Sequence, residues 1–129
     1  MYQLSVNTSF SAAHALVLSG VREQVHGHDW HLTVLVEGAV LDDDGLLCDF
    51  HALESSVNRI VAPFRNADLN ASEVFSEKNP SAENLVAFIG GELLSHLPSG
   101  VRLARISITE AVGCVAHWMP DNENEATNA

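Results

Sequence analysis

His14, His26 and His28 are placed so that strand alternation alone could bring them together. Neutral imidazole nitrogens are good zinc ligands, and three of them around one ion leave a position open for a reacting oxygen, the arrangement of many catalytic zinc sites. Any one of these histidines alone would read as an ordinary polar or core residue. Three of matched parity at converging strand ends point to a metal. His31 falls on the opposite parity, and His51, His96 and His117 stand isolated, so each of these reads as a surface or helix histidine.

The elements that must position the trio follow from period-two patterning. Tyr2, Leu4, Val6, Phe10 and Ala12 alternate with Gln3, Ser5, Asn7, Ser9 and Ser11, as in a half-buried strand, and His14 continues the apolar set. The alternation resumes with Trp30, Leu32, Val34 and Val36 against Asp29, His31, Thr33 and Glu37, with His26 and His28 on the apolar side. If these strands pair antiparallel across the connection 15–25, the end of the first lies beside the start of the second and the imidazoles meet. A bulge would break that parity.

Further along, the turn-forming run Asp42-Asp43-Asp44-Gly45 precedes Asp49, a suitable helix cap, and Phe50, Leu53, Val57, Ile60, Val61 and Phe64 follow helical spacing up to Pro63. A polar loop from Arg65 to Lys78 leads to Asn79-Pro80, which reads as an N-cap followed by proline at the first helical position. Leu85, Val86, Phe88, Ile89, Leu93, Leu94 and Leu97 predict a second helix, stopped by Pro98-Ser99-Gly100. A third strand is expected from about Val101 to Thr109, with Ala104, Ile106 and Ile108 on one side and Glu110 continuing it. A short fourth is expected near Val115 to Met119. The order implies an α+β fold, two helices on one face of a four-stranded antiparallel sheet. The other face must be polar or meet another subunit.

With 129 residues, 47% of them hydrophobic, the chain reads as one domain over 1–119 followed by a frayed acidic tail at 120–129 that contains Asp121, Glu123 and Glu125. Seventeen acidic against six basic side chains give a formal charge of −11, which repels nucleic acid and anionic membranes and leaves a small molecule or a protein as the expected partner. Cys48 and Cys114 lack CxxC spacing and read as buried small apolar residues. With no charged leader or long apolar segment, a reducing cytoplasm is the expected setting.

Several segments then fall into a known order. Phe10-Ser11-Ala12-Ala13-His14, His26-Gly27-His28, Gly45-Leu46-Leu47-Cys48-Asp49-Phe50, Leu69-Asn70, Pro80-Ser81-Ala82-Glu83-Asn84 and Glu110 resemble, over residues 2 to 119, the family of 6-pyruvoyl-tetrahydropterin synthase and 6-carboxytetrahydropterin synthase. The resemblance implies a Zn2+ ion on His14, His26 and His28 and the tunnelling fold. It also implies a homohexamer of two trimers whose sheets close into barrels, and a dihydropterin substrate. It further implies that Glu110 anchors the pterin, whose adjacent ring N–H and exocyclic amine form a donor pair that a carboxylate accepts. Ser81 and Glu83, in the first turn of a helix, are explained by local capping.

The chain also departs from that pattern. Members that make the pyruvoyl or carboxy product carry a cysteine four residues before the HGH motif, where this chain has Arg22. They also carry an Asp-His pair shortly before Leu-Asn, where it has Arg65-Asn66. Glu23, three residues before His26, resembles the glutamate of a branch that cleaves the side chain of dihydroneopterin triphosphate to 6-hydroxymethyl-dihydropterin for folate synthesis. The resulting expectation is a zinc-dependent pterin lyase with Glu23 as the base. Two alternatives stand beside it. One is a 6-carboxytetrahydropterin synthase on the way to queuosine and related deazapurines; the other is a non-catalytic pterin- and zinc-binding paralogue. Arg22 and Arg65 read equally well as a grip on an anionic substituent such as phosphate and as loop arginines facing outward.

Overall fold

The structure, a computed structural model, describes residues 1–121, so most of the segment read as an acidic tail lies outside the described residues. The two alternating stretches form strands β1 (Tyr2–His14) and β4 (His26–Gly38). They pair antiparallel without a register shift from Tyr2 opposite Gly38 to His14 opposite His26. Parity therefore survives to the strand ends.

Between them β2 (Val17–Leu18) and β3 (Val21–Arg22) make a small hairpin. It turns at Ser19 (φ 51°) and Gly20 (φ 80°), the left-handed pair that a tight two-residue turn requires. There follow α1 (Phe50–Val61), β5 (Ala67–Asp68), α2 (Ala82–Leu93), β6 (Arg102–Ala111) and β7 (Cys114–Trp118). The main sheet has the order β5-β1-β4-β6-β7. Its four long members are the expected antiparallel strands. The addition is β5, a two-residue edge parallel to β1 through Ala12–Ala67 and Ala13–Asp68.

Both helices cover one face of this sheet. α1 buries Leu53, Val57 and Val61, and α2 buries Leu85, Val86, Ile89 and Leu93, against Phe10, Trp30, Leu32, Val34, Ile106 and Ile108. The opposite face is polar, with cross-strand contacts such as Thr33 Oγ1 to Asn7 Oδ1 (2.7 Å), Ser9 with His31 (2.8 Å) and Ser107 with His117 (2.6 Å). His31 and His117 are thus surface groups, as the opposite parity of the first and the isolation of the second suggested. At the far end of the sheet Glu37 is buried between Gln3 and Arg102, whose hydrogen bonds hold its carboxyl below the usual carboxylate value. No helix among the described residues is long and apolar enough to cross a membrane.

Three local expectations are corrected. In β6 the buried residue is Leu103, not Ala104, because Leu35 pairs with Arg105 and Val36 with Leu103, leaving Ala104 as the extra residue of a bulge. The cap of α2 is Ser81, whose Oγ accepts from the Asn84 N–H at 3.1 Å; Asn79 and Pro80 precede the helix and serve the site described below. Cys114 is exposed, at the start of β7 after the turn at Gly113, and only Cys48 is partly buried, its thiol pushed up by burial and by Asp49.

α2 approaches the sheet closely at Gly90, where an added Cβ would overlap the Trp118 ring and reach Ile106. Gly90→Ala is therefore expected to cost about 1–3 kcal/mol through overpacking, despite the better helix propensity of alanine. Urea unfolding measures this, and an unchanged or raised midpoint would show that the contact yields freely.

Candidate metal centre

The in-register pairing of β1 with β4 puts His14 opposite His26 and Ala12 opposite His28, so all three imidazoles project from the helix-facing side at one end of the sheet. Their rings stand edge-to-face with centroids 4.7–5.0 Å apart, and the Trp30 ring walls off the core behind them at 5.1 Å from His14 and 5.3 Å from His28. His14 is fully enclosed, while His26 and His28 retain access to solvent.

Backbone carbonyls fix two of the three tautomers. His14 Nδ1 lies 2.8 Å from the Pro80 carbonyl and His26 Nδ1 lies 2.9 Å from the Gln24 carbonyl. A carbonyl only accepts, so each Nδ1 carries the proton and each neutral ring presents a bare Nε2 lone pair. Those Nε2 atoms nevertheless sit 3.1 Å apart, where two lone pairs repel unless a cation lies between them. His28 Nε2 is buried with no hydrogen-bond partner, and burial lowers its pKa below the ordinary histidine value, which favours the neutral, ligating form.

Glu110 joins this cluster. Its Oε1 is 3.1 Å from both His14 Nε2 and His28 Nε2, and the four donor atoms all lie within 4.8 Å of one another. Donors about 2.1 Å from a tetrahedral ion stand roughly 3.4 Å apart, so the spacing suits zinc and the donor set fits a divalent cation. The pairs Thr109–Val115 and Ala111–Cys114 leave Glu110 as the unpaired residue of a second bulge in β6, on the parity of Ile106 and Ile108 and so on the side of the sheet that carries the histidines.

The segment that follows His14 is held by three side chains, two of them from distant parts of the chain. Asn70 pairs with Ala15 through both its amide oxygen and its amide nitrogen (2.8 Å each), and Asn79 does the same with Val17 at 2.8 and 3.0 Å. Between them Leu16 donates to Glu23 Oε1 at 2.9 Å and accepts from the Glu23 N–H at 2.9 Å. Each side chain thus replaces a strand partner. Glu23 is thereby fixed with its carboxylate 3.9 Å from His26 Nδ1 and about one-third exposed.

Arg65 donates to the Ser9 carbonyl, Thr8 Oγ1 and Asn58 Oδ1, tying the loop to β1 and α1. Its guanidinium is engaged by the fold, which is neither of the two arrangements expected for it. Asn66, with φ at 54°, lines a groove on the polar face with Ser11, Ala13, Asp29 and Asp68. Arg22 is exposed on β3.

Among known proteins, residues 3–121 match the family profile of 6-pyruvoyl tetrahydropterin synthase. The chain belongs to this family. Within it, the chain is 34% identical over 102 residues to the dihydroneopterin monophosphate aldolase of Pyrococcus furiosus, covering 79% of this chain and 83% of that protein. It is 32% identical over 107 residues to an Archaeoglobus fulgidus protein provisionally named 6-carboxy-5,6,7,8-tetrahydropterin synthase, covering 83% and 86%. The 6-pyruvoyl tetrahydropterin synthase of Caenorhabditis elegans superposes with a TM-score of 0.81 at 20% identity, over 93% of this chain and 96% of that one. A Plasmodium vivax 6-pyruvoyltetrahydropterin synthase in which a catalytic glutamate is replaced by alanine superposes at 0.77 with 18% identity, over 94% and 98%. These structural likenesses establish the tunnelling fold.

Proposed function

We propose that this protein is a zinc-dependent carbon–carbon lyase that shortens the C6 side chain of 7,8-dihydroneopterin or a phosphorylated form of it to give 6-hydroxymethyl-dihydropterin. The observation that carries this reading is the convergence of three imidazole Nε2 atoms beside a fixed glutamate, one residue after the position at which other family members carry a cysteine. His14, His26 and His28 would hold the ion, Glu110 the ring and Glu23 the proton. The aldolase named for the Pyrococcus furiosus relative supports the reaction class and suggests the monophosphate as the form to try first. Precedent for a carboxylate in catalysis comes from the Plasmodium vivax protein of the same fold.

A divalent ion bound by the histidines supplies Lewis acidity to the side-chain oxygens. Glu110 orients the ring by accepting from its amine and ring N–H. Glu23 accepts the proton of the 2′-hydroxyl as the bond from C1′ to C2′ breaks. C2′ and C3′ leave as a two-carbon aldehyde, and the electron pair passes into the C6–N5 imine before C1′ is reprotonated. The hydrogen bond from Leu16 holds the Glu23 carboxylate for this role.

Zinc-loaded protein incubated with 7,8-dihydroneopterin, its monophosphate and its triphosphate is expected to release hydroxymethyl-dihydropterin from at least one of them, followed by mass spectrometry. Formation of the carboxy product instead would favour the activity in the Archaeoglobus fulgidus protein's name and would place this chain with the deazapurine enzymes. Tight pterin binding without turnover would leave a binding protein.

The proposal includes the family's hexamer of two trimers and a cytoplasmic setting suited to free Cys48 and Cys114. The open edge of β7 and the exposed Val17, Leu18, Val21 and Val25 support burial against other copies. Sedimentation equilibrium is expected to give the hexamer mass, and a monomer at micromolar concentration would remove the assembly from the proposal.

A further inference from the structure

We propose that Glu110 is a fourth metal ligand in the substrate-free protein and that a pterin ring, on binding, draws the same carboxylate off the ion. This rests on the functional reading above and adds to it a coordination change made by one side chain. Glu110 Oε1 lies 3.1 Å from two imidazole nitrogens, one of which is buried without a hydrogen-bond partner. The bare His14 Nε2 lone pair facing a carboxylate oxygen at that distance is repelled by it, and a cation between them reverses the sign.

The two tasks of Glu110 compete. A pterin's amine and ring N–H occupy both carboxylate oxygens, whereas ligation takes one of them away. The residue can exchange between the tasks because it is the unpaired residue of the β6 bulge and its side chain is 30% exposed. The ion is then four-coordinate and protected while no pterin is bound, and gains an open position only when a ring is in place to use it.

Cobalt(II), substituted for zinc in the full-length protein, reports ligand number through its visible bands. The ring probe is 6-methylpterin, which carries the donor pair but no side-chain oxygen that could itself bind the ion. Wild-type protein is expected to bind cobalt at least about tenfold more tightly than Glu110→Gln and with different bands. The methylpterin should shift the wild-type bands and leave those of Glu110→Gln unmoved. Cobalt bound equally and with the same bands by both proteins would overturn the proposal and spare the functional reading. Different bands with no shift on adding methylpterin would overturn the release from the ion. Failure of both proteins to bind cobalt would sink the proposal and the functional reading together.

Discussion

His26→Ala is expected to strip the protein of zinc and of all activity while leaving the fold intact. The ring is 40% exposed and sits at the first residue of β4, so its removal opens no core cavity. What it removes is one of three nitrogens that face one point, and loss of a direct ligand should weaken the metal by at least about a hundredfold, more than disturbance of a supporting group does. Metal analysis after dialysis, with the unfolding midpoint measured in parallel, checks both halves. A variant that keeps stoichiometric zinc would show that His26 Nε2 is not a ligand and would dissolve the centre described above.

The second large effect is expected at Glu23. Glu23→Gln keeps an oxygen for the Leu16 N–H but cannot take a proton, so it separates the hold on the backbone from the chemistry. Turnover should fall by about 10²- to 10⁴-fold with KM and zinc content little changed. Glu23→Ala should show the same loss of turnover together with a lower unfolding midpoint, because Leu16 then loses its acceptor. Full activity in the glutamine variant would mean that the base lies elsewhere and that Glu23 serves the backbone alone.

The histidine cluster was legible because its parts obey a short rule. Strand parity carries His14, His26 and His28 to one face, and no bulge interrupts β1 and β4 to spoil it. The helices were legible too, since Leu53, Val57 and Val61 keep helical spacing and Asp49 caps the His51 N–H. Other features escaped because their causes lie far off in the chain. Nothing near Asn70 or Asn79 says that their amides will pair with Ala15 and Val17, 55 and 62 residues away. Asn79-Pro80 looked like a helix start because that is the usual local use of the pair; the Pro80 carbonyl is claimed instead by His14. Glu110 was expected on the apolar side of β6 by simple alternation. It does lie there, because the register against β4 is regular from Arg105 to Thr109, and its carboxylate reaches His14 and His28. The role of Arg65 depends on Thr8, Ser9 and Asn58, which no spacing rule connects to it.

The hydrogen bond from His14 to Pro80 bears on when the ion can be acquired during synthesis. The three histidines all lie within the first 28 residues, yet the carbonyl that orients the first of them arrives at residue 80 and Glu110 later still. An emerging chain therefore displays His14 long before the carbonyl that orients it has been made. Stable metal capture would be a late event, a sign that the carboxyl-terminal half has already docked, and not the step that starts the chain folding.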